Sequence, residues 1–271
     1  DGAQEGLPLH FGWPADEQDT FERGEGFAYL GIVGVVTVSG PDRLSWLTTL
    51  SSQILTGLTP GDSKETLLLD PQGRVTFQMA VVDDGEKTWL LTENRFAREL
   101  AEFLKSMQFM LRVEVTDVSA DYRGVFTAAQ DPTLAKAASD WVGEHGGVAW
   151  LDPWPGVEEG GARYFLGKHP GQNAQFRIYV VPSSQSDPFI RFLEGEGGGR
   201  LAPVGLLAAE ATRVAAWRPL RGTEVDDRTM PSEVDWLRSA VHLTKGCYCG
   251  QESVARIIDL GKPPRRLVFL Q

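Results

Sequence analysis

The stretch TLLLDPQGRVTFQMAVVDDG, Thr66 to Gly85, constrains the fold more than any other. Asp70, Pro71 and Gly73 fit positions i, i+1 and i+3 of a tight turn, and Val75, Phe77, Met79 and Val81 alternate with period two. The stretch therefore predicts a hairpin with one buried face. GVVTVSG (Gly34–Gly40), WLLT (Trp89–Thr92), RVEVTDVS, GVFTAAQ, ARYFLG and FRIYVVP read as further strands. Between them, PDRLSWLTTLSSQ predicts a helix with Pro41 at its first position. ENRFARELAEFLKSM predicts another, capped by Thr92, with Phe96, Leu100, Phe103, Leu104 and Met107 at helical spacing. Thr133–Val142, PVGLLAAEATRVAAW and GQESVARIIDLG complete the helices, the last stopped by Gly261 and by Pro263 and Pro264. Several strands are sequential and hairpin-linked, so the expectation is α+β rather than a doubly wound parallel sheet.

Boundaries follow from the punctuation. Residues 1–27 are polar and rich in Gly and Pro, an irregular lead-in; a first α+β lobe covers 28–123 and a second 124–194. A return segment spans 195–261, starting at the flexible GEGGGR (Gly195–Arg200), which lacks the lysine and hydroxyl of a phosphate loop. Residues 262–271 begin a further β lobe, largely absent from this chain, and RLVFLQ is its expected first strand. A chain opening at Asp1 without Met and closing on an unpaired strand reads as part of a longer parent.

Charge narrows the partners. The chain carries 26 basic and 37 acidic residues, a formal net charge of -11, which opposes broad binding to phosphate backbones. KPPRR (Lys262–Arg266) is the one dense basic cluster and reads as a solvated loop. No apolar run reaches the roughly 18 residues that span a bilayer, so a soluble protein without a membrane partner is expected. Two cysteines exclude a disulfide scaffold and fit a reducing, cytoplasmic compartment.

Both cysteines lie in HLTKGCYCGQESVAR, His242–Arg256. Two thiolates at i and i+2 leave half a zinc shell unfilled, and the four histidines show no HExxH or HxH spacing, so no metal site is expected. A Cys247–Cys249 disulfide closes a very small ring with poor geometry. A reactive thiol remains open, because Cys247 lies near Lys245 and just ahead of a helix start; so does a small buried cysteine packing a turn.

KGCYCGQESVAR resembles the K-G-C-Y/F-x-G-Q-E-x-x-A-R signature of the YgfZ-type folate-binding proteins, relatives of the glycine-cleavage T-protein. VTVSGPDRLSWLTTLSSQ, LLLDPQGRV and ATRVAAWRPLRG resemble three further family segments, in the right order across roughly residues 28–271. The resemblance implies a multi-lobed ring around a tetrahydrofolate or folate-derivative site, with a C-terminal β-barrel lobe. It also implies a role in assembly or repair of iron–sulfur proteins, linked to tRNA modification, with those proteins or assembly factors as partners. Carried over by motif, Cys247 is the functional thiol with Lys245 beside it, and Tyr248, Gly250, Gln251, Glu252 and Arg256 complete the signature. Arg213 matches the arginine of R-I/L-E-A-G, expected at the folate, where a guanidinium fork suits a carboxylate or pterin carbonyl. Departures are as informative. The T-protein aspartate of N/T-x-D-V falls on Ile54, which cannot move a proton, and this argues against folate-dependent aminomethyl transfer, the alternative reading. The motif's glutamate and glycine are Ala215 and Trp217, and Cys249 sits at a variable position.

Overall fold

The computed structural model describes residues 6–163, 167–196 and 200–268. Its first half runs α1 (Pro14–Glu22), β1 (Gly26–Gly31), β2 (Gly34–Ser39), α2 (Arg43–Leu50), β3 (Ser63–Leu69), β4 (Val75–Asp83), β5 (Lys87–Thr92), α3 (Asn94–Ser106) and β6 (Glu114–Asp117). The second half continues with β7 (Tyr122–Thr127), α4 (Pro132–Glu144), β8 (Val148–Leu151), β9 (Arg177–Pro182), α5 (Ser186–Arg191), β10 (Ala202–Val204), α6 (Leu206–Ala215) and α7 (Gln251–Leu260).

The strands form two five-stranded sheets, β3-β4-β5-β2-β6 and β10-β1-β7-β9-β8. Every described pairing is antiparallel except β1 with β10, so the mixed α+β expectation holds. In β4 the predicted alternation appears as burial of Val75, Phe77, Met79 and Val81. The turn before it closes as read: Gly73 N–H donates to the Asp70 carbonyl at 2.9 Å, with Gly73 at φ +80°. The Asp70 carboxylate adds bonds from the Gln72 and Arg74 amides, the local trick that suits Asp to a turn.

One face of the first sheet takes α3, whose Leu100 and Leu104 pack with Val36, Val38, Phe77 and Leu90. The second sheet is covered on both faces, because alternation sends Phe27 and Val125 one way and Ala28 and Phe126 the other. α4 and α5 cover the first of these faces, α1 and α6 the second. The sheets meet through Val35, Val82, Trp89 and Leu91 against Val148, Trp150 and Val180. Trp150 Nε1–H also donates to the Lys64 carbonyl at 2.8 Å, tying edge strand β8 to edge strand β3. The stretch after α6 has little regular structure. It wraps the β3–β4 hairpin, burying Val234, Trp236, Leu237 and Val241 against Leu67, Leu69 and Val75.

Several local expectations change. The lead-in is not irregular throughout: α1 starts on Pro14 with Asp16 and Glu17 in its first turn, both favourable at a helix N-terminus, and it buries Phe21. α2 begins at Arg43, two residues after Pro41. Glu93 rather than Thr92 holds the N-cap of α3, without a side-chain capping bond. α6 ends at Ala215 because Trp217 turns left-handed. Residues 266–268 form no strand, and the rest of RLVFLQ lies outside the described residues. So do residues 164–166 of the ARYFLG strand and 197–199 of the glycine-rich link. Among the described residues, no helix is long and apolar enough to cross a membrane.

Candidate functional site

The Lys245–Arg256 signature lies against the β3–β4 turn. Gly250, at φ +80°, precedes α7, and a Cβ there would lie 2.5 Å from the Asp70 carbonyl oxygen, so glycine is required twice over. Tyr248 is buried and, with Gln251, Leu243, Val254 and Ile258, lines a cavity of about 190 Å³. The Gln251 amide donates back to the Lys245 carbonyl at 3.3 Å. Glu252 and Arg256 are exposed on α7, and Cys247 and Cys249 are exposed on the loop before it.

Lys245 is turned inward. Its ammonium donates to the Thr48 and Ser51 carbonyls at the end of α2 and lies 4.8 Å from the Tyr248 ring centroid. A cation suits a helix C-terminus, but burial lowers the amine to about 8. Its hydrogen bonds therefore go to α2, not to a thiol. Burial, then the Asp70 carboxylate, pushes the Cys249 thiol up. Among the described residues no group of three or more His, Cys, Asp or Glu is placed to hold a metal.

Arg213 is not with these residues, and its fork is already filled. Nε and Nη2 pair with Glu210, Nη1 and Nη2 with Glu224 at 3.0 and 2.8 Å, and Nη1 also with the Arg218 carbonyl. Those bonds use all five guanidinium N–H groups. Burial alone would lower its affinity for the proton, but the Glu210 and Glu224 bonds outweigh that and raise it. These bonds fasten α6 to the loop that follows.

A second group of residues assembles where β3, β8 and this loop converge. Buried Arg218 bridges Asp152 and Glu65, each at 2.7 Å, and lies 5.0 Å from the Trp154 ring centroid. Burial pushes Asp152 up to about 6, against the pull of Arg218 and with the repulsion of Glu65. On from Trp154 opens a cleft of about 520 Å³, within the usual range for small-molecule sites. Trp217, His169, Ser232, Glu233 and Asp235 line it, and residues 261–267 strap across it. Arg265 holds the strap to Glu233 at 2.9 Å and to Asp226 at 3.3 Å.

Two cleft residues have left-handed backbones without being glycine: Trp217 at φ +56° and Asp235 at φ +60°. Such strain, about 1–3 kcal/mol each, gathers at ligand sites. Two acceptors there, Ser232 Oγ and Asp235 Oδ1, are buried without a hydrogen-bond partner. The sequence reading missed this cleft because its lining comes from five separate segments. The available signal was Trp217 at a motif's glycine position.

No protein-family model matches the chain. The aminomethyltransferase of Geobacillus kaustophilus is 26% identical over 98% of this chain and 72% of its own length. That of Bacillus subtilis is 24% identical over 98% of this chain and 73% of its own. Among solved structures, the glycine cleavage system aminomethyltransferase T from Bartonella henselae superposes with a TM-score of 0.71 at 15% identity, covering 94% of this chain and 69% of that one. The two sheets, their covering helices and the wrapped return segment are thus the T-protein fold.

Proposed function

We propose that the chain is a folate-binding protein of the YgfZ type, which holds tetrahydrofolate or a derivative without catalysing aminomethyl transfer. The cleft carries this reading. It offers the Trp217 indole for a flat pterin, and Lys262 and Arg266 on its rim for carboxylates. The lobes 28–123 and 124–194 and the return segment 195–261 would frame the ligand. Tyr248, Gly250 and Gln251 would shape the neighbouring cavity, and Glu252 and Arg256 an outer face beside it.

Ile54 supports the absence of transfer chemistry. It is half-buried, and its backbone N–H is held by Gln53 Oε1 at 2.9 Å, so an apolar side chain stands where the T-protein motif has its acid. The exposed Cys247 thiol would serve iron–sulfur proteins or their assembly factors, with Lys245 fixing the loop that presents it. The test is incubation with an aminomethylated lipoyl carrier and tetrahydrofolate. No methylenetetrahydrofolate is expected, and its catalytic release would reverse the reading.

Aminomethyl transfer is the second reading, favoured by the match to aminomethyltransferases along 98% of the chain. It requires another acid in the place of Ile54, and that same assay decides it.

A further inference from the structure

The two cysteines flank Tyr248, and the three side chains alternate: Tyr248 is buried, while Cys247 and Cys249 are exposed. Successive side chains along an open stretch of chain point to opposite sides, so sending Tyr248 inward turns both thiols to the same outer flank. The loop that carries them is fastened along its length. Lys245 is bonded to the Thr48 and Ser51 carbonyls, and its ammonium lies 4.8 Å from the Tyr248 ring centroid. The Gln251 side chain donates back to the Lys245 carbonyl, and its backbone N–H closes a turn onto the Tyr248 carbonyl at 3.3 Å. Gly250, at φ +80°, takes the third position of that turn and packs on Gly73. Two donors on a loop already held lose little freedom when they close around one atom.

The donor set selects the ion. Among the described residues no group of three or more His, Cys, Asp or Glu is placed to hold a metal, so a cation that demands four ligands, as zinc does, finds only two here. Cuprous ion is soft, prefers thiolate sulfur and is satisfied by two sulfurs in line. The Asp70 carboxylate beside Cys249 attracts an arriving cation, and the positive end of α7, two residues on, favours thiolate.

We propose that Cys247 and Cys249 form a chelating site for a single cuprous ion. Each thiol gives its proton to solvent as its sulfur–copper bond forms, and the copper stays Cu(I) throughout. The site is independent of the folate reading. Copper bound there would occupy the thiol assigned above to iron–sulfur partners.

Anaerobic titration of the reduced intact chain with Cu(I), against bicinchoninate as the competing chromophore, tests it. Wild type is expected to withdraw one copper per chain and, once loaded, to protect both thiols from an aromatic disulfide reagent. Cys247→Ser and Cys249→Ser should each weaken Cu(I) binding by about a hundredfold, because the second sulfur must then come from another molecule. Both positions are exposed, so urea midpoints should stay at the wild-type value and the loss reports the site rather than the fold. Excess zinc ion should leave the copper in place. Either variant binding Cu(I) like wild type overturns the proposal, as does one copper per two chains, which would put the ion between molecules. Displacement by zinc, or thiols that stay reactive after one equivalent of copper, also overturns it. Folinic acid affinity should be the same with and without copper, so none of these outcomes touches the folate reading.

Discussion

Gly250 and Gly73 approach so closely that a Cβ on Gly250 would lie 2.8 Å from the Gly73 Cα. Both have φ +80°, and their contact joins the β3–β4 turn to the cysteine signature. Two segments 177 residues apart (250 − 73) therefore share one glycine-only junction.

Gly250→Ala should then cost about 2–3 kcal/mol in urea unfolding, from backbone strain together with the clash on Asp70. Gly246→Ala, in the same segment but in open surroundings, should stay within about 0.5 kcal/mol of wild type. Equal effects would mean that the junction is not formed.

Lys245 gives the protein a pH signature. The folded chain releases this proton at about 8, whereas the ordinary lysine value is 10.5, because burial disfavours the ammonium. Between those values the unfolded chain binds more protons, so this residue's contribution to stability rises with pH across the window. Lys245→Met should lack that rise. Urea midpoints of the two proteins, compared from about pH 7 to 10.5, should converge or cross rather than run parallel.

Arg213→Ala should destabilise the chain by about 3 kcal/mol, by leaving the partly buried Glu224 uncompensated. Folinic acid affinity, measured well below the unfolding transition, should change less than about twofold. A large loss of affinity without loss of stability would return Arg213 to the ligand.

The Cys249 thiol should react slowly. Burial, and then the Asp70 carboxylate, holds the Cys249 thiol above its ordinary value, so its thiolate is scarcer at neutral pH. In a Cys247→Ala background, Cys249 should react with iodoacetamide several-fold more slowly than a free cysteine peptide. Adding Asp70→Asn should speed it. Labelling at the peptide's own rate would contradict the environment described for Cys249.

Much of this was legible where a local rule decides. The hairpin followed from Asp70, Pro71 and Gly73 with alternating Val75 to Val81, and α7 from Val254 and Ile257 with its stop at Gly261. α1 escaped because it is polar almost throughout and buries only Phe21, although Pro14, Asp16 and Glu17 mark its start. Arg213 looked like an open fork because Glu224, eleven residues on, meets it only through the fold; Glu210, one turn back, was the visible half. Lys245 and Cys247 are neighbours in sequence, yet burial takes the amine inward and leaves the thiol in solvent. The cleft was least legible, since Trp154, His169, Trp217 and Asp235 meet only in three dimensions.

Calorimetric titration of folinic acid into the intact chain, paired with its thermal shift, tests the central claim most directly. Saturable one-to-one binding in the micromolar range, with a rise in melting temperature, is the predicted result. No heat and an unchanged melting temperature at millimolar ligand would contradict it.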